Sequence, residues 1–156
     1  MEKIYLETTI PSYFVSRESE NISILSRQRV TRNWWNTQRD KYELFISEIV
    51  LEEIEKGDRS FSKLRIELLK DIRVLPVNEG IRDLVKQYMA QFHLSETVIR
   101  DIFHIAFAVY YKIDYLLTWN CKHIANAHFI KQIVNYNINR GLYIPEICTP
   151  EQLLEE

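Results

Sequence analysis

Four short apolar runs, Ile4-Tyr5-Leu6, Leu44-Phe45-Ile46, Val74-Leu75-Pro76-Val77 and Tyr115-Leu116-Leu117-Thr118, lie too far apart along the chain to pair as hairpins. Helical patterns fill the gaps between them. One covers Ile22 to about Gln38, and a second runs from Glu48 to Lys56 and stops at Gly57. Ser60–Asp71 follows, with Phe61, Leu64 and Leu68 on one stripe, then Glu79–Phe92 and Ser95–Lys112. Lys122–Arg140 stops at Gly141. Short apolar strands alternating with helices predict a mostly parallel sheet with helices on both faces, an α/β fold. With 3 Gly and 4 Pro the chain lacks the turns of an all-β fold, while 9 Tyr, 7 Phe and 3 Trp supply bulky core groups. Neither a linker nor a repeat interrupts the pattern. A single domain is expected over residues 1–148, with 149–156, including EQLLEE, as a frayed tail.

Bulk charge narrows the function classes little. A net charge of −2 is no nucleic-acid signature, yet it leaves room for a local basic face. Cys121 and Cys148 form neither a CxxC pair nor a disulfide framework, so reduced thiols and a cytoplasmic location are expected. Met1–Lys3 lead straight into a strand-like run, which is not how a signal peptide reads. His104, Lys112 and Asp114 interrupt the longest apolar stretch, so no membrane span is expected.

In open α/β sheets, ligands bind beyond the carboxyl ends of the strands. The first run stops there on a carboxylate, Glu7, in YLETTIPSY, followed by Thr8 and Thr9. Glutamate is a poor strand residue and costly to bury, so its charge there is either incidental or needed. In RDIFHIAFAVYYK two readings of Asp101 stand side by side. Either the helix begins near Ser95 and Asp101 sits inside it, sharing a face with His104, Ile105 and Ala108, or Asp101 merely caps the helix. In SEIVLEEIEKGD, Glu52 is placed for an exposed pair with Lys56, whereas Glu53 borders the apolar stripe and is the better cleft residue. Asn120 follows the fourth run and His123 comes three residues later. His104 reads as a hydrogen-bonded core histidine. No Gly-rich loop follows the first strand, which ranks a nucleotide-cofactor enzyme last.

The acid closing the first strand with its hydroxyl neighbours, SEIVLEEIEKG, DIFHIAFAVYYKIDYLLTWN and NCKHIAN occur in an order that resembles the PIN domain, the nuclease fold of VapC-type toxins. The resemblance runs through nearly the whole chain, with DIFHIAFAV…DYLLTWN its most specific part. It implies a PIN-like three-layer fold and a metal-dependent ribonuclease using Mg²⁺ or Mn²⁺. It places the metal-holding acids on Glu7, Glu53 and Asp101, with Asn120 after the last core strand completing the catalytic set. Thr8, Thr9, Thr118 and His123 fall in supporting places. Hard divalent cations prefer such oxygen donors, and Mg²⁺ binds one or two carboxylates while keeping several waters.

This chain departs from the family pattern twice: Glu7 stands where Asp is usual, and Asn120 where an acid is often found. These departures favour one tightly held metal over two, and they motivate the alternative of a catalytically weak or inactive module that binds RNA or protein. SRQRVTRNWWNTQRDK offers Arg27, Arg32 and Trp35 as contacts for RNA or a cognate antitoxin. Core packing of the tryptophan with solvated arginines explains the same pattern. A homodimer is the remaining partner expectation, since PIN domains often pair.

Overall fold

In the computed structural model, which describes residues 1–155, Ile4, Tyr5 and Leu6 of strand β1 (Lys3–Leu6) are all fully buried. Successive strand residues point to opposite faces, so both faces of β1 are covered, as a parallel sheet requires. The other strands are β2 (Glu43–Ser47), β3 (Arg73–Leu75), β4 (Tyr115–Leu117) and β5 (Glu146–Cys148). Every pairing is parallel and the order is β3-β2-β1-β4-β5. Tyr5 sits opposite Phe45 on one side and Leu116 on the other. The chain builds outward from β1 through β2 to β3, then returns to lay β4 on the opposite edge of β1. That reversal makes the β1–β4 crevice the topological switch point.

Helices α1 (Thr9–Val15) and α2 (Ile22–Gln38) connect β1 to β2, and α3 (Glu48–Glu55) and α4 (Arg59–Leu69) connect β2 to β3. α5 (Glu79–Gln91) and α6 (Ile99–Tyr110) lead to β4, and α7 (Ala127–Arg140) leads to β5. Side-chain caps start most of them. Asn21, Ser47, Asp58, Asn78 and Asn126 each accept a hydrogen bond from an otherwise free first-turn N–H. Gly141 ends α7 with φ of 64°, a left-handed conformation that glycine adopts without steric cost.

The alternating α/β reading holds, with local corrections. β5 was not expected, because three residues after a proline carry too little pattern. α1 is the helix that Pro11 was expected to help start, and Pro11 falls in its first turn, where a missing N–H costs nothing. β3 ends at Leu75 because Pro76 cannot extend the ladder. α7 begins at Ala127, not Lys122, because Asn120 folds the intervening residues into a turn. The C-terminal stretch is ordered further than expected: Pro150–Leu153 form a 3-10 turn with a capping box between Thr149 and Gln152, packed against α2. Glu156 of the expected tail lies outside the described residues.

Among the described residues no helix is long and apolar enough to cross a membrane. Cys121 is exposed, whereas Cys148 is buried and its thiol is pushed up to about 12 by desolvation, then by the charge of Glu146. Iodoacetamide at neutral pH is therefore expected to label Cys121 alone, with Cys148 becoming reactive only in denaturant. Peptide mapping of the labelled protein checks this.

A candidate acidic site at the strand switch point

Glu7 directly extends β1, and its main-chain N–H donates to the Leu117 carbonyl at 3.0 Å. The side chain is 3 % exposed and lies at the switch point. Its Oε1 accepts from the Thr9 N–H at 2.9 Å and from the Thr118 hydroxyl at 3.0 Å. The two threonines in turn tie this segment to the turn after β4. Thr9 Oγ1 accepts the Trp119 N–H at 2.9 Å, and Thr118 Oγ1 accepts the Asn120 N–H at 2.9 Å.

Asn120 carries the chain on to the third acid, its Nδ2 donating to Asp101 Oδ1 at 3.0 Å. Its Oδ1 accepts the His123 N–H at 3.0 Å, and its carbonyl accepts the N–H groups of Ile124 and Ala125. Asp101 occupies the first turn of α6, which follows a separate 3-10 turn at Glu96–Val98 opened by Ser95. The geometry falls between the two sequence readings. Asp101 is neither deep in a helix begun at Ser95 nor the cap, which is Val98.

Glu53 lies on the α3 face that looks toward Thr8 and His104. The Thr8 hydroxyl donates to its Oε1 at 3.1 Å, and His104 Nε2 meets the same oxygen at 2.5 Å. Glu52 is exposed and pairs with Arg100 at 3.4 Å, replacing the expected partner Lys56. His104 is fully buried, and its Nδ1 lies 2.6 Å from the Tyr5 hydroxyl, which is 2.7 Å from Ser47 Oγ. A carboxylate can only accept, so Nε2 carries the proton toward Glu53. Ser47, Tyr5, His104 and Glu53 then form one buried line from the cap of α3 back to its outward face. The sequence marks Ser47 only as the residue opening the helix after the second strand, and Tyr5 only as a strand residue. The available signal was the three-residue spacing of Asp101 and His104 on one helix face.

Electrostatics separate the three carboxyls. Desolvation raises the pKa of Glu7, against the lowering effects of His104 and the Thr9 and Thr118 hydrogen bonds. Desolvation also raises Asp101, opposed by His104 and His123 and reinforced by the nearby Glu53 charge. At Glu53 burial again works upward, but the hydrogen bond and charge of His104, with Thr8 and Arg100, outweigh it and leave the carboxyl below its usual value. Glu7 and Asp101 thus lack adequate positive compensation, whereas Glu53 has found its own.

The basic and aromatic residues of α2 are placed differently. Trp35 is buried against Phe14 and Trp34, with Arg39 over its ring at 4.4 Å, so its faces are covered. Arg32 donates to the Phe14 and Ser16 carbonyls and pins the α1–α2 loop. Arg27 lies over the Trp119 ring at 5.4 Å, beside the turn that carries Asn120. His123 is exposed at the rim.

Among the described residues no three His, Cys, Asp or Glu side chains are grouped closely enough to hold a metal ion, so a closed all-carboxylate cage is absent. The donor chemistry fits a cation that keeps most of its water. Among the described residues Asp101 Oδ2 and Glu53 Oε2 have no hydrogen-bond partner, and Glu7 Oε2 has one long contact at 3.3 Å. Each acid therefore spends one oxygen on its support and keeps the other. Mg²⁺ needs only one or two direct carboxylates.

A parallel sheet with Glu7 at its switch point, linked through Thr118 and Asn120 to Asp101, defines an open-sheet α/β domain whose candidate site lies beyond the strand ends. The PIN domain family model matches residues 4–124, and the chain belongs to that family. Its fold closely resembles VapC-type domains among solved structures. VapBC-1 from nontypeable Haemophilus influenzae superimposes with a TM-score of 0.60 at 14% identity, over 96% of this chain and 98% of that one. VapBC2 from Rickettsia felis, bound to a promoter DNA fragment, gives 0.58 at 13% identity, over 94% and 98%. Mycobacterium tuberculosis VapC20, a toxin that cleaves the sarcin-ricin loop, gives 0.56 at 15% identity, over 72% and 86%. At these identities the likeness is one of fold. No curated protein matches the sequence.

Proposed function

We propose that this chain is a metal-dependent endoribonuclease, the toxin half of a VapBC-type pair. The observation that carries the reading is the hydrogen-bonded line Glu7–Thr118–Asn120–Asp101, which gathers two undercompensated carboxyls at the switch point of a PIN domain. Glu7, Asp101 and Glu53 would hold hydrated Mg²⁺ or Mn²⁺, one or two of them directly and the rest through its waters, with Asn120 orienting Asp101 and the turn behind it. A bound cation supplies positive charge for the scissile phosphate and acidifies an attacking water. The chain's own residues fix where that charge is received. Thr9 and Thr118 hold Glu7, Asn120 holds Asp101, and His104 with Thr8 holds Glu53. The structural relatives that are toxin–antitoxin complexes motivate an antitoxin partner here as well.

A specific observation favours a second reading, a non-catalytic module binding RNA or protein. Glu53 is already paired with His104, and an amide stands at Asn120. Titration calorimetry with Mn²⁺ separates the two. The nuclease reading expects saturable binding that Glu7→Gln reduces at least about tenfold, by removing one charged ligand. The same variant has a stability signature. Because the Glu7 pKa is raised in the folded state, the native protein favours the protonated acid, and stability is lost as pH climbs from 4.5 through the raised value. Glu7→Gln is expected to remove that loss and melt at or above the wild-type temperature at neutral pH. Wild-type protein that binds no Mn²⁺ would leave the module reading standing.

A further inference from the structure

Beside the acids lies a cavity that the proposed chemistry does not use. It encloses about 170 Å³ between the start of α6 and the start of α7. Ile102, Val98 and Leu94 line one wall and Phe129 the other, with Lys122, His123 and Asn126 at the rim. Ile102 directly follows Asp101, and His123 hangs from Asn120 through its main-chain N–H. The cavity and the acids thus share their framework.

We propose that this cavity is a base-binding subsite, taking one unstacked nucleobase of single-stranded RNA next to the phosphate at the acidic site. The proposal rests on the nuclease reading and deepens it. Three features fit that occupant. The walls are apolar on two opposed elements, and Phe129 is a half-buried aromatic, the kind of surface on which bases stack without sequence preference. The cavity is well below the size of a typical small-molecule pocket, suiting one ring system inserted from a strand. Charge at the mouth is complementary to a phosphate. Lys122 and His123 are exposed, and Lys122 joins no ion pair among the described residues.

Local geometry adds two constraints. α7 has no acidic residue in its first turn, so its N-terminal N–H groups present positive potential to the same mouth. Asn126 spends its Oδ1 on capping Phe129, leaving its Nδ2 to donate to a base edge. An apolar side chain of a protein partner would fill the walls but leave Lys122, His123 and the α7 N-terminus without an anion, and this favours RNA.

The test compares two fluorescein-labelled octamers, a single-stranded RNA and the same ribose-phosphate strand with abasic residues, binding to the full chain in Ca²⁺. Wild type is expected to bind the base-bearing strand roughly tenfold more tightly, the effect of about one stacked base. Phe129→Ala should bring the ratio near one. Because Phe129 also packs on Phe92, Val98→Asp provides a second variant. Val98 lines the cavity ahead of α6 and is half-buried, so Asp places negative charge at the cavity without removing a fully buried side chain. Lys122→Gln should weaken both strands alike. An unchanged ratio in folded Phe129→Ala and Val98→Asp, with RNA cleavage by wild type intact, overturns the subsite and leaves the nuclease reading standing. Protection of the cavity from hydrogen exchange by a protein partner but not by RNA overturns it in favour of protein docking. A wild type that neither binds nor cleaves any strand overturns the nuclease reading and the subsite with it.

Discussion

Replacing Asp101 by Asn is expected to abolish Mn²⁺-dependent RNA cleavage while leaving the fold intact. The two halves of that expectation have separate causes. Asn120 Nδ2 donates to Asp101 Oδ1 at 3.0 Å, and an amide oxygen accepts that bond as well as a carboxylate does. The framework of the site therefore survives. The group lost is the negative charge and the second, unpartnered oxygen. A carboxylate that holds a cation in a phosphoryl-transfer site contributes several kcal/mol to the transition state, so a loss on the order of a hundredfold or more follows. The Asp101 pKa is raised by desolvation, with Glu53 adding to the shift. Its ionised form is thus costly in the folded protein at neutral pH, and the Asn variant should melt no lower than wild type. Cleavage of a labelled RNA by wild type and variant, purified in parallel through the same columns, decides the matter. Equal rates would sink the assignment of Asp101.

The sheet was readable because its strands obey a simple rule: buried on both faces, they appear as apolar runs, and the long gaps forbid hairpins. β5 escaped because Glu146–Cys148 presents only one short apolar pair after a proline. Glu7, Glu53 and Asp101 could be singled out because each sits where a charge is unexpected, at a strand end or on an apolar stripe. Their partners were legible only in part. Thr8, Thr9 and Thr118 adjoin the acids or the strand ends in sequence. By contrast, the pairing of Glu53 with His104 joins α3 to α6 and depends on how those helices cross. Nor could Trp35 be told from an exposed platform by spacing, since α2 buries Trp34 and Trp35 together on one side. Arg27 of the same helix lies instead over the Trp119 ring, beside the turn that carries Asn120.

The buried line Ser47–Tyr5–His104–Glu53 carries the largest stability expectation. His104→Ala removes a fully buried ring and both of its hydrogen bonds. The cavity alone is worth about 2–4 kcal/mol by analogy with large-to-small changes in cores. Tyr5 keeps Ser47 as a partner but loses the bond on its other side, for roughly 1 kcal/mol more. Glu53 is partly exposed and can turn to water, so breaking its pair adds little. The sum is about 3–5 kcal/mol, a fall of roughly 6–20 °C in melting temperature for a domain of this size. Tyr5→Phe tests the line without opening a cavity, because it removes only the hydroxyl between His104 Nδ1 and Ser47 Oγ, and about 1–3 kcal/mol is expected. Urea unfolding of both variants provides the measurement. A loss near zero for Tyr5→Phe would mean that the hydroxyl contributes no net hold on His104. If that loss is instead near 2 kcal/mol while Mn²⁺ affinity also falls, the line both stabilises the core and fixes Glu53, which Tyr5 reaches through His104 and through Ser47 at the cap of α3.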